Sequence, residues 1–170
     1  RAAALAALTA SEVLPTVSID GGEPVPLLSE TDCFTQPGNT STSTTVTTIT
    51  AVDLGGAGFS ASSRCFLGGT ETIYMSTDNV YLTTSRWPQP TTDVQGRTVF
   101  ASNSDLELDI HKFALAASTP GAAVAGVTYR ASGTVPGHFG WDSARSSYRM
   151  SEHQGDLRVV TFTGSFGWAV

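Results

Sequence analysis

The chain has little positive charge and no long hydrophobic run. Lys112 is the only lysine, the nine basic residues face fifteen acidic ones, and the formal net charge is -6. Such a chain lacks the basic patch that neutralises phosphate groups, so we expect neither nucleic-acid binding nor adsorption to an anionic membrane. No window reaches the roughly 18 uninterrupted apolar residues of a bilayer-spanning helix, so no membrane insertion is expected.

Short catalytic motifs are also missing. The sequence contains no Gly-x-Ser-x-Gly elbow, no glycine-rich phosphate loop, no His-Glu-x-x-His and no Cys-x-x-Cys. The three histidines, His111, His138 and His153, stand far apart without metal-ligand spacing, so a zinc site is not predicted. The absence of these motifs argues against an enzyme, and an enzyme prediction would have to rest on scattered residues.

Hydroxyl-bearing residues dominate the polar part of the sequence. There are 24 threonines and 19 serines in 170 residues, and 40% hydrophobic content is enough for a sizeable core. Threonine favours strands and serine favours turns. The composition predicts one soluble, β-rich domain.

Residues 1–44 differ from the rest. Arg1 is followed by good helix formers over residues 2–8, and Pro15 would stop such a helix. A short packed helix, an exposed end and the remnant of a signal peptide are the three interpretations. Residues 21–45 read as an irregular loop. Asn39 begins a glycosylation sequon that is common by chance, so we expect an unmodified surface loop there.

Regular alternation begins after residue 44 and recurs. The order strand, strand, hairpin is predicted twice, over Val46–Leu54, Ser63–Leu67, Thr72–Met75 and Val80–Ser85, and again over Leu106–Leu115, Val127–Thr134, Tyr148–Glu152 and Asp156–Phe162. We therefore divide the chain into residues 1–44, a first blade-like unit with its connection at 45–103, and a second unit with the start of a further strand at 104–170. Each unit needs a neighbour to cover its apolar face.

Four segments carry a family resemblance. Residues 74–87, 109–115, 131–137 and 150–159 resemble a family of secreted prokaryotic β-propeller domain proteins. The resemblance, which covers about residues 45–162, implies an all-β, propeller-like fold. The repeated strand order predicts two four-stranded antiparallel meander blades within it, and the composition of residues 1–44 predicts a short N-terminal helix and loop before them. The resemblance also implies a secreted or cell-envelope location. Because a ring needs about four to eight blades, the expected partners are the remaining blades of a larger chain or further copies of this one.

Three acidic residues are the candidate cation site. Asp105, Glu107 and Asp109 alternate, so on a strand their side chains share one face and could hold calcium through oxygen ligands. The competing interpretation is a solvated strand face. No other cofactor is expected.

Aromatic residues suggest a second kind of site. Trp87, Trp141 and Trp168, with Tyr74 and Tyr81, could stack on a sugar ring, since aromatic faces offer apolar area with a polar rim. Packing in the core or between blades is the alternative.

The two cysteines predict a disulfide. Cys33 and Cys65 form an even pair in a segment that resembles secreted proteins, and a disulfide persists in an oxidising compartment. The alternative is two separate small hydrophobic residues.

The expected function is a non-catalytic extracellular module that binds or scaffolds through its loops, with a protein or a carbohydrate as ligand. A hydrolase assembled from several blade loops and a purely structural fragment are the alternatives. An enzyme should bring at least two titratable groups together in a concave pocket, whereas a binding module should present aromatic or hydroxyl loops without such a pair.

Overall fold

The computed structural model describes residues 7–36, 45–53, 60–86, 90–99, 106–116, 126–140 and 142–164. Almost all regular structure in these ranges is β. The strands are β1 (Thr16–Val17), β2 (Val25–Pro26), β3 (Cys33–Phe34), β4 (Val46–Val52), β5 (Ala61–Leu67), β6 (Thr72–Met75), β7 (Asn79–Arg86), β8 (Thr91–Thr92), β9 (Thr98–Val99), β10 (Glu107–Ala116), β11 (Gly126–Pro136), β12 (Met150–His153) and β13 (Asp156–Val159).

Helices are few and short. One α-helix, α1 (Ala10–Val13), and 3-10 turns at Glu30–Asp32 and Ser146–Arg149 lie in the described ranges. No helix in those ranges has the length and hydropathy needed to cross a membrane.

The helix predicted over residues 2–8 lies almost entirely outside the described residues, which begin at residue 7, and helix α1 begins at Ala10. The backbone N–H of Thr9 donates to the Glu12 carboxylate at 2.7 Å, and the Thr9 hydroxyl donates to it at 2.9 Å. These bonds satisfy groups at the N-terminus of a helix and place its start after Thr9. Leu8 and Val13 are exposed, and residues 1–6 lie outside the described ranges.

Contacts divide the chain into two compact units, the first with the described residues of 1–35, 43–68 and 115–128, the second with those of 36–42, 69–114 and 129–170. The first unit contains the β1–β2 pair and a three-stranded sheet of order β3-β5-β4. Strand β4 is antiparallel to β5, and β3 is parallel to it with Cys33 opposite Cys65. A disulfide joins these two residues, which confirms the predicted pairing.

The second unit is built on a four-stranded sheet of order β11-β10-β7-β6, with the hairpins β8–β9 and β12–β13. Alternation along the strands sends one set of side chains to the face that packs on β12–β13. Its buried cluster consists of Tyr81, Leu108, Ile110, Phe139 and Met150.

The all-β, propeller-like architecture is confirmed, but the strands pair differently from the expected grouping. Hairpin β6–β7 lies beside β10 and β11, not beside β4 and β5. The reason is that a strand has two edges, and β3 and β4 take both edges of β5. Hairpin β8–β9 also occurs inside the segment expected to be a plain connection. The division at 44/45 and at 103/104 adjoins undescribed residues and stays a prediction.

Candidate functional site

An open groove of about 330 Å³ lies on the second unit, between strands β11 and β13. We call it the β11–β13 groove. It is lined by Tyr81 of β7, Ile110 and Lys112 of β10, residues 131–135 of β11, and Leu157 and Val159 of β13. Its floor is thus the sheet face made by the neighbouring strands β7, β10 and β11, and β13 of the hairpin packed on this face forms one side.

Strand register explains the composition of the floor. Lys112 lies directly opposite Tyr81 in the antiparallel pair of β10 and β7, so both side chains point to the same face. Ile110 is two residues before Lys112 on β10 and shares that face. A cationic side chain therefore stands on an otherwise apolar and aromatic surface.

The Lys112 ammonium is held by the aromatic ring of Tyr81. Its nitrogen lies 5.4 Å from the ring centroid, within the range of a cation–π contact. Among the described residues, no carboxylate oxygen lies within 4.0 Å of this nitrogen. The only lysine of an acidic chain thus presents its charge to the groove without an ion pair in the described part of the molecule.

Tyr81 stays protonated at neutral pH. Burial raises the pKa of its phenol, an effect that the nearby Lys112 opposes and the nearby Glu152 reinforces. A neutral phenol beside an ammonium group can take part in hydrogen bonds but does not act as a general base.

Glu152 lies on β12 and holds hairpin β12–β13 in place, although it does not line the groove itself. Its carboxylate accepts hydrogen bonds from the Ser76 hydroxyl at 2.6 Å and from the Asn79 amide at 2.8 Å, and its backbone N–H donates to the Tyr74 hydroxyl at 2.9 Å. The bonds from Ser76 and Asn79, with the charge of Lys112, lower the pKa of Glu152. Because both carboxylate oxygens are engaged, Glu152 anchors β12–β13 to the turn of hairpin β6–β7.

The groove is closed at one end. The Thr161 hydroxyl donates to the Pro136 carbonyl at 2.8 Å, and His138 and Phe162 form an antiparallel bridge just beyond. Gly137 lies between them with a φ of 97°, and a side chain there would collide with the Phe162 carbonyl. The segments that follow β11 and β13 therefore meet at this end of the groove.

The acidic residues of β10 are engaged by an arginine. Arg86 donates to both carboxylate oxygens of Asp109 at 2.8 and 2.9 Å and to Glu107 at 3.3 Å. Thr134 donates a further hydrogen bond to Asp109 at 2.8 Å. Asp105 lies outside the described residues. Calcium would have to displace the guanidinium, and its binding here stays a prediction.

The histidines remain separate. His111 is fully buried on β10, where burial lowers its pKa to about 4 against the opposing effect of Asp109. Burial and the charge of Arg149 lower the pKa of His138, and His153 is exposed on β12. In the described ranges, no group of three or more histidine, cysteine, aspartate or glutamate residues could hold a metal ion.

The aromatic residues proposed for sugar stacking are only partly described. Trp87, Trp141 and Trp168 lie outside the described residues. Tyr74 and Tyr81 face each other with ring centroids 5.9 Å apart, and both pack in the core cluster. These two rings are therefore packing residues, with Tyr81 also forming part of the groove floor.

Residues 1–169 match the model of the family described as Beta propeller domain. The chain belongs to the beta propeller domain family. The family predicted from the sequence is thereby confirmed, together with the all-β fold. No curated protein and no solved structure matches the chain.

Sequence reasoning did not assign Lys112 to a site of this propeller domain. One signal was available, because Leu108, Ile110 and Lys112 alternate and so share a strand face. A lysine in line with two apolar residues marks either the end of a buried strip or a charge held on an apolar floor. The contributions of β11 and β13 to the groove carry no such local signal.

Proposed function

We propose that this propeller domain is a non-catalytic binding module that acts outside the cell, with the β11–β13 groove as its ligand site. The observation that carries the proposal is the Lys112 ammonium, which stands beside the Tyr81 ring on an apolar floor without a bound carboxylate among the described residues. Ligand sites typically combine apolar lining with a few polar groups that set orientation.

The charge and lining of the groove define the ligand chemistry. Ile110, Leu157 and Val159 offer apolar surface, and Lys112 offers one positive charge. A ligand with an apolar body and one anionic group satisfies both features. The Glu152 oxygens bind Ser76 and Asn79, and they do not form an ion pair with Lys112 within 4.0 Å.

The Cys33–Cys65 disulfide supports an oxidising compartment. A secreted or cell-envelope location is the corresponding proposal. It is tested by asking whether the protein purified from such a compartment contains free thiols.

One observation favours the hydrolase alternative. Tyr81 and Lys112 are two titratable groups in one concave site, which is the arrangement expected of an enzyme. Against this, the raised pKa of Tyr81 moves it away from the range of a general base at neutral pH. The lowered pKa of Glu152 likewise makes it an anchored acceptor rather than a proton donor. We therefore retain the binding module.

A small amphipathic anion tests the proposal. The fluorescence of 8-anilinonaphthalene-1-sulfonate is titrated with the native protein, with Lys112→Met and with Arg130→Met. Methionine keeps the length of the lysine stem but removes the charge, and we expect binding to weaken about tenfold. Arg130 lies on β11 but does not line the groove, so its variant should bind as the native protein does.

Equal binding to native protein and to Lys112→Met, or no binding to either, would refute this ligand site. Hydrolysis of ester or glycoside substrates that is lost in Tyr81→Phe would establish the enzyme instead.

A further inference from the structure

The outer edge of strand β13 lies beside the groove. It forms a two-stranded sheet with β12, whereas the other sheet of the same unit has four strands. Strand β13 pairs with β12 from Asp156 opposite His153 to Val159 opposite Met150. On its other side, no strand of the described residues is hydrogen-bonded to it.

The hairpin turn determines which backbone groups point to that edge. Gln154 and Gly155 both have positive φ, at 53° and 87°, which is the conformation of a two-residue type I′ turn. In such a hairpin the flanking pair, His153 and Asp156, exchanges hydrogen bonds, and alternate pairs then do so along the ladder.

The N–H and C=O groups of Leu157 and Val159 consequently point away from β12. The hydrogen bond from the Val160 N–H to the Arg149 carbonyl at 2.9 Å fits the same alternation. Leu157 and Val159 also direct their side chains into the groove. Because Leu157 and Val159 pack the β12–β13 layer on the sheet face that floors the groove, a third strand at this edge would continue that layer over the floor, with alternate side chains pointing into the groove.

The dimensions and charge suit an extended peptide. Strand β11 lines the groove over residues 131–135, a length of about 13 Å at the rise of a β-strand, which matches a segment of about four or five residues. The closed end at Thr161 and Pro136 limits how far such a segment extends. Lys112 on the floor would face an inward-pointing side chain of the segment.

We propose that the β11–β13 groove receives an extended acidic segment of another polypeptide, which adds to β13 as a third strand and places a carboxylate on Lys112. This inference rests on the proposed binding function and specifies its ligand. Main-chain hydrogen bonds to Leu157 and Val159 supply affinity, and the carboxylate supplies selectivity.

The probe is a capped synthetic peptide of about six residues, with alternating valine and threonine and one central glutamate. Its binding is measured by titration of the isotope-labelled protein in NMR spectra, which also report whether each variant is folded. We expect the amides of Leu157 and Val159 to shift and to become protected from hydrogen exchange.

Two changes to the peptide separate the contribution of its backbone hydrogen bonds to affinity from the contribution of its charge. Methylation of alternate backbone nitrogens keeps every side chain but blocks strand pairing, and we expect binding to weaken at least about tenfold. Replacing the glutamate by glutamine should weaken binding several-fold to native protein and to Lys112→Arg. The same replacement in the peptide should leave its affinity for Lys112→Met unchanged. It should weaken binding to Arg130→Met as much as it weakens binding to the native protein.

The outcomes distinguish this inference from the proposed function. If the sulfonate probe binds through Lys112 but backbone methylation leaves peptide affinity unchanged, strand addition is wrong and the binding module stands. If neither probe binds, both fail. Protection of the Leu157 and Val159 amides in the free protein would also overturn the inference. Concentration-dependent protection would mean that a second copy occupies the edge, and constant protection would mean that the chain's own residues do.

Discussion

Acidification is expected to destabilise this propeller domain through His111. The imidazole is fully buried on β10, and burial lowers its pKa from 6.5 to about 4, with Asp109 acting in the opposite direction. The folded protein therefore keeps His111 neutral over a range in which an exposed imidazole takes up a proton.

The sign follows from proton uptake in the two states. Between the unfolded pKa of 6.5 and the folded pKa of about 4, the unfolded chain binds more protons at this residue than the folded protein does. The free energy of unfolding consequently falls as the pH drops through this window. A shift of this size corresponds to about 3 kcal/mol, which is a large part of the stability of a typical domain.

Urea unfolding at several values from about pH 7 to about pH 4 measures the effect. Over this pH range, the free energy of unfolding of the native protein should fall by about 3 kcal/mol more than that of His111→Gln, since the glutamine amide takes up no proton there. His153→Gln is the matched control, because His153 is exposed, and it should follow the native protein. Equal pH dependence in the native protein and His111→Gln, or an NMR titration of His111 near its ordinary pKa, would refute the reasoning.

Three further predictions concern stability. Reduction of the Cys33–Cys65 disulfide, which spans 32 residues, should cost roughly 3–4 kcal/mol, and thermal melts with and without reductant measure this. Gly137→Ala should lower the free energy of unfolding, measured in urea, by about 3 kcal/mol, because the new methyl group meets a backbone carbonyl at positive φ. Gly155→Ala is the control: its methyl group enters open space, and the loss should be about 1 kcal/mol. Equal losses for the two variants would contradict the collision. Arg86→Met should cost at least about 3 kcal/mol, because a fully buried carboxylate of β10 loses its counter-ion, and a loss below about 1 kcal/mol would contradict the importance of the pair.

Strand positions in this domain could be predicted from the sequence because their signal is local. The first strand of the β6–β7 hairpin, Thr72–Met75, is observed with the predicted limits. The second strand, Asn79–Arg86, is one residue longer at each end than predicted. Alternation of apolar and polar residues depends only on the period of two along an extended chain. The even cysteine count similarly predicted the disulfide.

The pairing of the strands depended on contacts between residues far apart in the sequence. Strand β3 comes from a segment with no sustained periodicity, yet its pairing with β5 leaves hairpin β6–β7 to join β10. No local pattern specifies which of several similar strands shares an edge with another. The repeated order of elements therefore predicted eight of the thirteen strands in the described ranges near their observed positions. It missed β1, β2, β3, β8 and β9, and it grouped the strands differently from the observed sheets.

The same distinction holds for the sites. The sequence by itself determined that Glu107 and Asp109 share a strand face and that Lys112 lies in line with Ile110, since both follow from alternation. Only the tertiary structure decided that Arg86 lies beside the two carboxylates and that β11 and β13 line the groove around Lys112. The physical reason is that the charge environment of a side chain is set by neighbours across strands, and these neighbours are chosen when the sheets pair and pack.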